Sequence, residues 1–333
     1  MLLWGIFLLI ILGLLALDLG VFNKESHVPT TREALRWTSL WAALGLGFSL
    51  AIYYLYENHM GDREIAAGQA TLKYLSGYLV ELSLSMDNVF VMALIFKYFQ
   101  IPTRYQHRVL FWGILGALIF RAIMIFLGVW LLERFQWMMY LFGLLLLYSA
   151  WKMLSSTEEV HPNKNPVINT LRRLFPVTKY LDGERFFVRR RHILAATPLF
   201  VALMMIETTD VIFAFDSIPA ILAITTDPFL VFSSNVFAIL GLRSLYFVLA
   251  TMMDRFEYLH YSLAAILFFV AGKMMLHEVW HPAEWISLVV IFSFLAGGVL
   301  YSLYVTSKHE SAEKEASREV GKKENSVATT SGK

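Results

Sequence analysis

Nine long apolar blocks constrain this chain more than any other feature of its sequence. Each has the roughly 20 residues needed to cross a hydrocarbon core about 30 Å thick. Hydrophobic residues make up 57% and charged residues 16% of the chain, whereas soluble domains have about 45–50% and about 25%. The sequence therefore predicts an all-α polytopic membrane protein with about nine transmembrane helices. The blocks cover residues 2–22, 35–56, 70–96, 107–131, 136–154, 193–226, 228–252, 256–276 and 283–305.

The loops between these blocks predict the orientation of the chain in the membrane. With the N-terminus outside, the inner loops and tail hold 22 Lys and Arg residues, and the outer loops hold 4. Cytoplasmic loops carry such an excess of positive charge, so we expect the N-terminus outside and the C-terminus in the cytoplasm. We expect residues 1–306 to form the transmembrane transporter domain. The polar segment 307–333 has no apolar period and is predicted to be a disordered cytoplasmic tail.

An internal repeat relates spans 3–5 to spans 6–8. Residues 133–137 match residues 254–258 at an offset of 121, and Arg121 pairs with Arg243 after a one-residue slip. Shared apolar composition would not align rare charged residues in order. Because three spans is an odd number, the second copy must enter the membrane from the opposite side, as in many secondary transporters. The predicted repeats are about 70–154 and about 193–276.

The repeated part includes two acidic stretches, where an inverted-repeat transporter has its midplane binding site. Residues seven apart share one face of a helix, so Glu81 aligns with Asn88, and Asp210 with Ser217. Residues six apart point to neighbouring faces, so local unwinding would be needed to bring every oxygen to one ion. Pro219 favours such unwinding, because it leaves the carbonyl of Phe215 without its helical donor. The candidate metal ligands are Glu81, Asp87, Asn88, Glu207, Asp210, Asp216 and Ser217.

Charge at membrane depth indicates what this site binds. Six acids, including Asp18, and the two arginines Arg121 and Arg243 would leave a net charge of −4 if all were ionised. Several acids must therefore be protonated, or cations must bind. Oxygen ligands match Mn²⁺, Mg²⁺ or Ca²⁺, and the absence of Cys excludes thiolate sites and thiol redox chemistry. The alternative is a purely structural role, with acids paired to the arginines. For Asp18, extension of the side chain toward water is an equal alternative to a place at the site.

The segment His277-Glu-Val-Trp-His281 matches the zinc-protease pattern H-E-x-x-H. It lies at the outer membrane edge and Pro282 follows it, so the context that this motif needs is missing. We therefore expect no enzyme activity and no bound cofactor. The expected partners are a divalent metal ion and membrane lipid, not nucleic acid, and the sequence identifies no protein partner.

Taken together, 81–90 and 210–220 resemble the paired acidic motifs of the TerC/Alx family of bacterial membrane proteins. The similarity extends over residues 2–305, and segment 186–189 resembles the Alx branch in particular. The resemblance implies an inner-membrane protein that exports manganese; that branch has also been described as a redox modulator. The expected function is export of divalent metal cations by alternating access. The alternative is a membrane stress-response or metal-sensing scaffold that transports nothing.

Overall fold

A computed structural model shows a bundle of helices with one short β-hairpin on a connecting segment. It describes residues 2–20, 30–62, 64–155, 176–178, 180–190, 193–250, 259–280 and 282–330. The side chain of Asp18, those after Lys308 and those of a few other element ends lie outside the described part. So do residues 254–258, one arm of the sequence repeat, and His281 of the protease-like motif.

Ten helices and two strands make up the described part of the chain. The two strands, Phe187–Arg190 and Ile193–Ala196, pair antiparallel, with Phe187 opposite Ala196. The elements in order are α1 (Leu2–Gly20), α2 (Thr31–Glu57), α3 (Ala67–Tyr98), α4 (Thr103–Arg134), α5 (Met138–Ser155), β1 (Phe187–Arg190), β2 (Ile193–Ala196), α6 (Pro198–Leu222), α7 (Pro228–Leu240), α8 (Leu242–Ala250), α9 (Leu259–Met275) and α10 (Glu284–Thr330).

Every predicted apolar block contains a helix or a bent pair of helices. Among the described residues, six helices are long and apolar enough to cross a membrane: α2, α3, α4, α5, α6 and the first part of α10. The pair α7 and α8, bent by 43° at Gly241, would be a seventh span. Two shorter apolar helices lie at Leu3–Ala16 and Leu259–Met275. The chain is thus a multi-pass membrane protein, while the count of nine spans stays a prediction.

The centre of the bundle is formed by α3, α4, α6 and α7. Helix α3 packs against α6 and α7, α4 packs against the same two helices, and α5 packs against α9. Every residue of α7 after Pro228 is buried, because α1, α2, α3 and α4 surround it. The outward faces of the other helices are rich in exposed Leu, Ile and Phe. That surface is suited to contact with lipid rather than water.

Local sequence signals fix where the central helices begin. Asp227 caps α7 by accepting hydrogen bonds from the amides of Phe229 (2.8 Å) and Leu230 (3.2 Å), and it also accepts one from the hydroxyl of Tyr56 on α2 (2.5 Å). An N-terminal cap of this kind satisfies amides that a helix leaves unpaired. The buried Tyr56–Asp227 bond therefore ties the end of α2 to the start of α7.

The structure corrects the predicted start of the sixth span. The sequence predicts a span at about 193–226, whereas residues 193–196 form β2 and the helix begins at Pro198. Proline is favoured in the first turn of a helix, and it biases the residue before it away from helical backbone angles. The hydroxyl of that residue, Thr197, donates to the carbonyls of Arg185 (2.7 Å) and Phe186 (3.1 Å), which fastens the hairpin to the helix.

Two further expectations differ from the structure. Helix α6 continues through Pro219 to Leu222 without the predicted unwinding. The break in the second half of the bundle lies instead at Gly241, between α7 and α8. Helix α10 also extends to Thr330, although the sequence predicts a disordered tail over 307–333. The tail is rich in Glu and Lys, and these residues have a high helix propensity.

Candidate cation site between helices α3, α4 and α6

A buried arginine lies at the centre of the bundle. Arg121 of α4 forms an ion pair with Glu81 of α3, and its Nη2 lies 3.0 Å from Oδ1 of Asp210 on α6. Its Nε also donates to Oδ2 of Asp210 at 3.4 Å, so the guanidinium contacts both oxygens of that carboxylate. The three side chains are at most 3% exposed. Arg121 thus links an acid of α3 to an acid of α6 across the middle of the bundle.

Neutral oxygen and amide groups complete the surroundings of this arginine. Arg121 Nη1 lies 3.4 Å from the hydroxyl of Ser217. The amide oxygen of Asn88 accepts from Arg121 Nη2 at 3.2 Å when its nitrogen donates to the carbonyl of Leu84 at 3.3 Å. This orientation satisfies both ends of the amide. The hydroxyl of Ser85 lies 3.5 Å from Glu81 Oε1.

Helix periodicity explains how these groups come together. Seven residues, close to two turns, separate Glu81 from Asn88, and the same spacing separates Asp210 from Ser217. Both pairs face Arg121, as the spacing predicts. Arg121 lies in an otherwise apolar stretch of α4, so its charge can be neutralised only by partners from other helices.

The charges at this centre do not cancel. Two carboxylates meet one guanidinium, which leaves a net charge of −1 if both acids are ionised. Oε2 of Glu81 is buried and has no hydrogen-bond partner among the described residues. A buried oxygen without a partner is unfavourable. The centre therefore has a free ligand atom and too little positive charge, two properties that favour binding of a cation.

Asp87 and Asp216 lie on different helix faces from the groups around Arg121. Asp216 accepts a hydrogen bond from the hydroxyl of Ser149 on α5, at 2.5 Å. Asp87 is half-buried on α3, one residue before Asn88 and hence about 100° around the helix from it. The sequence gives no signal for Ser149, because a serine in an apolar helix commonly bonds only its own backbone.

Glu207 lies about one turn before Asp210 on α6 and faces α4. Its carboxylate covers Gly116, where an added Cβ would collide with both carboxylate oxygens. Oε2 of Glu207 is buried and finds no hydrogen-bond partner in the described parts of the chain. Glycine is therefore required at position 116 for Glu207 to lie as it does.

The remaining candidates have separate positions. Arg243 is buried on α8, just after the bend at Gly241. Asp18 lies on α1 with its side chain outside the described part. His277 lies in a turn beyond the end of α9, and residues 277–280, the described part of the H-E-x-x-H segment, are not helical. Within the described ranges, no three His, Asp or Glu side chains are grouped so that they could hold a metal ion.

Comparison with known proteins identifies the family of this bundle. Residues 66–310 match the model of the integral membrane protein TerC family. The chain belongs to the TerC family. An uncharacterized membrane protein of Myxococcus xanthus is 44% identical over 308 residues, which cover 92% of this chain and 93% of that protein. No solved structure matches the chain.

Other TerC relatives include proteins with a functional name. The Escherichia coli K12 protein named "Putative membrane-bound redox modulator Alx" is 43% identical over 93% of this chain and 96% of its own length. An uncharacterized membrane protein of Rickettsia bellii is 40% identical over 90% of this chain and 96% of its own length. The predicted resemblance to the TerC family and to its Alx branch is thus confirmed.

Proposed function

We propose that this TerC protein exports divalent metal cations, with manganese as the preferred ion, by alternating access through the site around Arg121. The observation that carries the proposal is the ion pair of Arg121 with Glu81 and Asp210 at full burial. A guanidinium bound by two carboxylates occupies the place that a cation would take. The arginine would neutralise the acids while the site is empty and yield to the ion when it arrives.

The ligand chemistry favours Mn²⁺ or a similar hard cation. Carboxylate, amide and hydroxyl oxygens surround Arg121, and the chain has no Cys. Such oxygen sets suit Mn²⁺, Mg²⁺ and Ca²⁺ rather than softer metals. The other proposed ligands would join as the helices shift during transport. They are Asp87, Asp216 and Glu207, with Arg243 as a second charge partner and Asp18 as a possible additional acid.

Helix directions support the inverted repeat on which alternating access depends. Along α3, Gly77 lies beside Ile221 and Asn88 beside Asp210, so α3 and α6 run antiparallel. These two helices are counterparts in the sequence repeat. Opposite directions are what an inverted pair requires, and the ion site lies between them.

A pair of equivalent contacts gives further support. An added Cβ at Gly77 of α3 would lie 3.0 Å from Ser234 Oγ on α7. At Gly113 of α4 it would lie 3.3 Å from Ile206 Cγ2 on α6. In the sequence repeat, Ser234 is the counterpart of Gly113 at the offset of 121. Ile206 is the counterpart of Gly77 at the offset that also relates Glu81 to Asp210. Exchanging the two repeats therefore converts one contact into the other.

The proposal includes a location and a direction. The chain would lie in the bacterial inner membrane with its N-terminus outside, as its loop charges predict, and would move the ion out of the cytoplasm. It would act without enzyme activity or bound cofactor, with the metal ion and lipid as its partners. Because the chain contains no Cys, any redox effect would be indirect and would follow from metal content.

The test is manganese flux in inside-out membrane vesicles. We expect wild-type vesicles to accumulate Mn²⁺, measured with a metal-quenched dye trapped inside. Glu81→Gln and Asp210→Asn should abolish uptake, and Asp87→Asn and Asp216→Asn should reduce it. Glu284→Gln is the matched control, because it makes the same chemical change at a carboxylate paired with Lys273 away from the central site. All variants are compared at equal membrane protein level.

Two outcomes would contradict the proposal in different ways. If purified wild-type protein in liposomes moves no manganese, the non-transporting scaffold gains support. If wild type transports while Glu81→Gln and Asp210→Asn transport equally well, the site has been placed wrongly. A metal-sensing scaffold would bind Mn²⁺ without flux, which equilibrium binding to the same purified protein would reveal.

A further inference from the structure

A further polar group in the bundle core, besides the two glutamates, lacks hydrogen-bond partners among the described residues. The side chain of Asn235, on α7, is 1% exposed, and neither its amide oxygen nor its amide nitrogen has a hydrogen-bond partner in the described structure. The neighbouring Ser233 and Ser234 instead bond to carbonyls of their own helix. Burying an amide without partners costs roughly 1–3 kcal/mol. A hydrophobic residue would avoid that cost, so this amide suggests a missing ligand.

The depth of Asn235 follows from two contacts between α3 and the α7–α8 pair. Gly77 lies against Ser234, and further along both chains Phe96 lies against Tyr246. Helix α3 and the α7–α8 pair therefore run in the same direction. Because Ser234 is level with Gly77, Asn235 is level with Tyr78, the next residue of α3. Glu81 is three residues further along α3, about 4.5 Å deeper at 1.5 Å per residue. Asn235 thus lies about one turn from Glu81, toward the end where α7 begins.

The direction in which Asn235 points follows from its neighbours on α7. Ser234 faces α3. Phe232 faces the boundary between α1 and α4, where its ring contacts Trp4 of α1 and Phe126 of α4. At 100° per residue, Asn235 lies between these two faces. It therefore faces the gap between α3 and α4 that Arg121 crosses to reach Glu81. The amide and the charged centre therefore face the same gap between helices.

We propose that Asn235 is a ligand for the transported cation, holding it by its amide oxygen one turn from the Glu81–Asp210 centre on the side where α7 begins. The inference rests on the proposed function and extends its site. A neutral oxygen binds a divalent cation more weakly than a carboxylate, so this position suits an ion that keeps part of its water shell and moves on. The amide nitrogen would donate to that water or to a carboxylate.

Two substitutions at this position test the proposal with Mn²⁺ as the probe. Asn235→Leu keeps the size of the side chain and removes both polar atoms. In liposomes containing the purified full chain, we expect its KM for Mn²⁺ to rise by about tenfold or more, the loss typical of a group that supports metal binding. We expect its thermal stability without metal to equal or exceed that of wild type. Asn235→Asp should lower KM and slow turnover, because it adds a charge that retains the ion.

Ser233→Ala is the matched control, since Ser233 is equally buried on α7 and already bonded to the carbonyl of Leu230. It should leave KM unchanged. Wild-type KM and turnover in Asn235→Leu would overturn the inference and leave the amide bound only to water. If Asn235→Leu does not fold, an unchanged KM in Asn235→Asp would overturn it instead. Failure of wild type to transport would contradict the proposed function itself, which separates the two.

Discussion

Replacing Arg121 should separate its two roles, stabilising the empty site and weakening cation binding. Arg121→Met removes the guanidinium and keeps an unbranched side chain about as long as the aliphatic stem of the arginine. Glu81 and Asp210, which are fully buried beside it, then lose their only described counter-charge. Removing one partner of a buried ion pair costs about 3–5 kcal/mol. We therefore expect the metal-free variant to unfold at a markedly lower temperature than wild type.

The same change should strengthen metal binding. An ion bound at Asp210 would lie about 5 Å from an Arg121 that kept its position, since that nitrogen is 3.0 Å from the carboxylate. At an effective dielectric constant of about 20, the repulsion would be roughly 6–7 kcal/mol. Wild type must therefore move its arginine to bind the ion, and the variant need not. We expect its Kd for Mn²⁺ to fall by at least about tenfold.

Thermal unfolding in detergent, with Mn²⁺ titrated from zero to saturation, measures both effects. Ligand at about 100 times Kd adds roughly 2.7 kcal/mol of stability, so the variant should recover most of its loss at low Mn²⁺. Transport in liposomes should slow, because the ion is no longer displaced by the arginine. Arg121→Lys keeps the charge but loses the bidentate contact with Asp210. Its stability without metal and its transport rate should lie between those of wild type and Arg121→Met. The reasoning would be refuted if Mn²⁺ did not change the unfolding temperature of Arg121→Met, or if this variant transported at the wild-type rate.

Two further substitutions test other parts of the bundle. Gly116→Ala should displace the Glu207 carboxylate and reduce transport with little loss of stability, because the displaced group is the end of a flexible side chain; Gly47→Ala, where an added Cβ meets nothing, should leave flux unchanged. Tyr56→Phe should lower the stability of the detergent-solubilised protein by about 1.5–3 kcal/mol, because it removes a hydrogen bond to the buried Asp227 carboxylate. Equal unfolding temperatures for Tyr56→Phe and wild type would show that this bond does not hold α2 to α7.

Sequence reasoning anticipated the helices and the central charges because both depend on local rules. Apolar blocks of the length of a bilayer form helices, and spacing by seven residues brought Glu81 and Asn88 to one side. The expectation that Arg121 would pair with buried acids follows from the cost of isolated charge in an apolar core. None of these inferences required knowledge of which helices are neighbours.

The remaining features depend on contacts between distant parts of the chain. Asp216 meets Ser149 only because α5 packs beside α6, and no pattern in either helix indicates that contact. Pro219 was expected to interrupt α6, but it lies one turn from the helix end, where few hydrogen bonds remain to be lost. The bend at Gly241 had no such marker, since a single glycine also occurs in straight helices.

The geometry around Arg121 connects ion binding to movement. Two carboxylates with the arginine carry a net charge of −1, and with a divalent ion in its place they would be neutral. In the proposed transport cycle, arginine and ion would compete for the same oxygens, and ion binding would withdraw Arg121 from α3 and α6. Glycines 113 and 116 let α4 approach α6 closely, so that Arg121 is the charged link between two closely packed helices. Displacement of Arg121 would then release α4 from the partners that hold it, and alternating access would begin with that release.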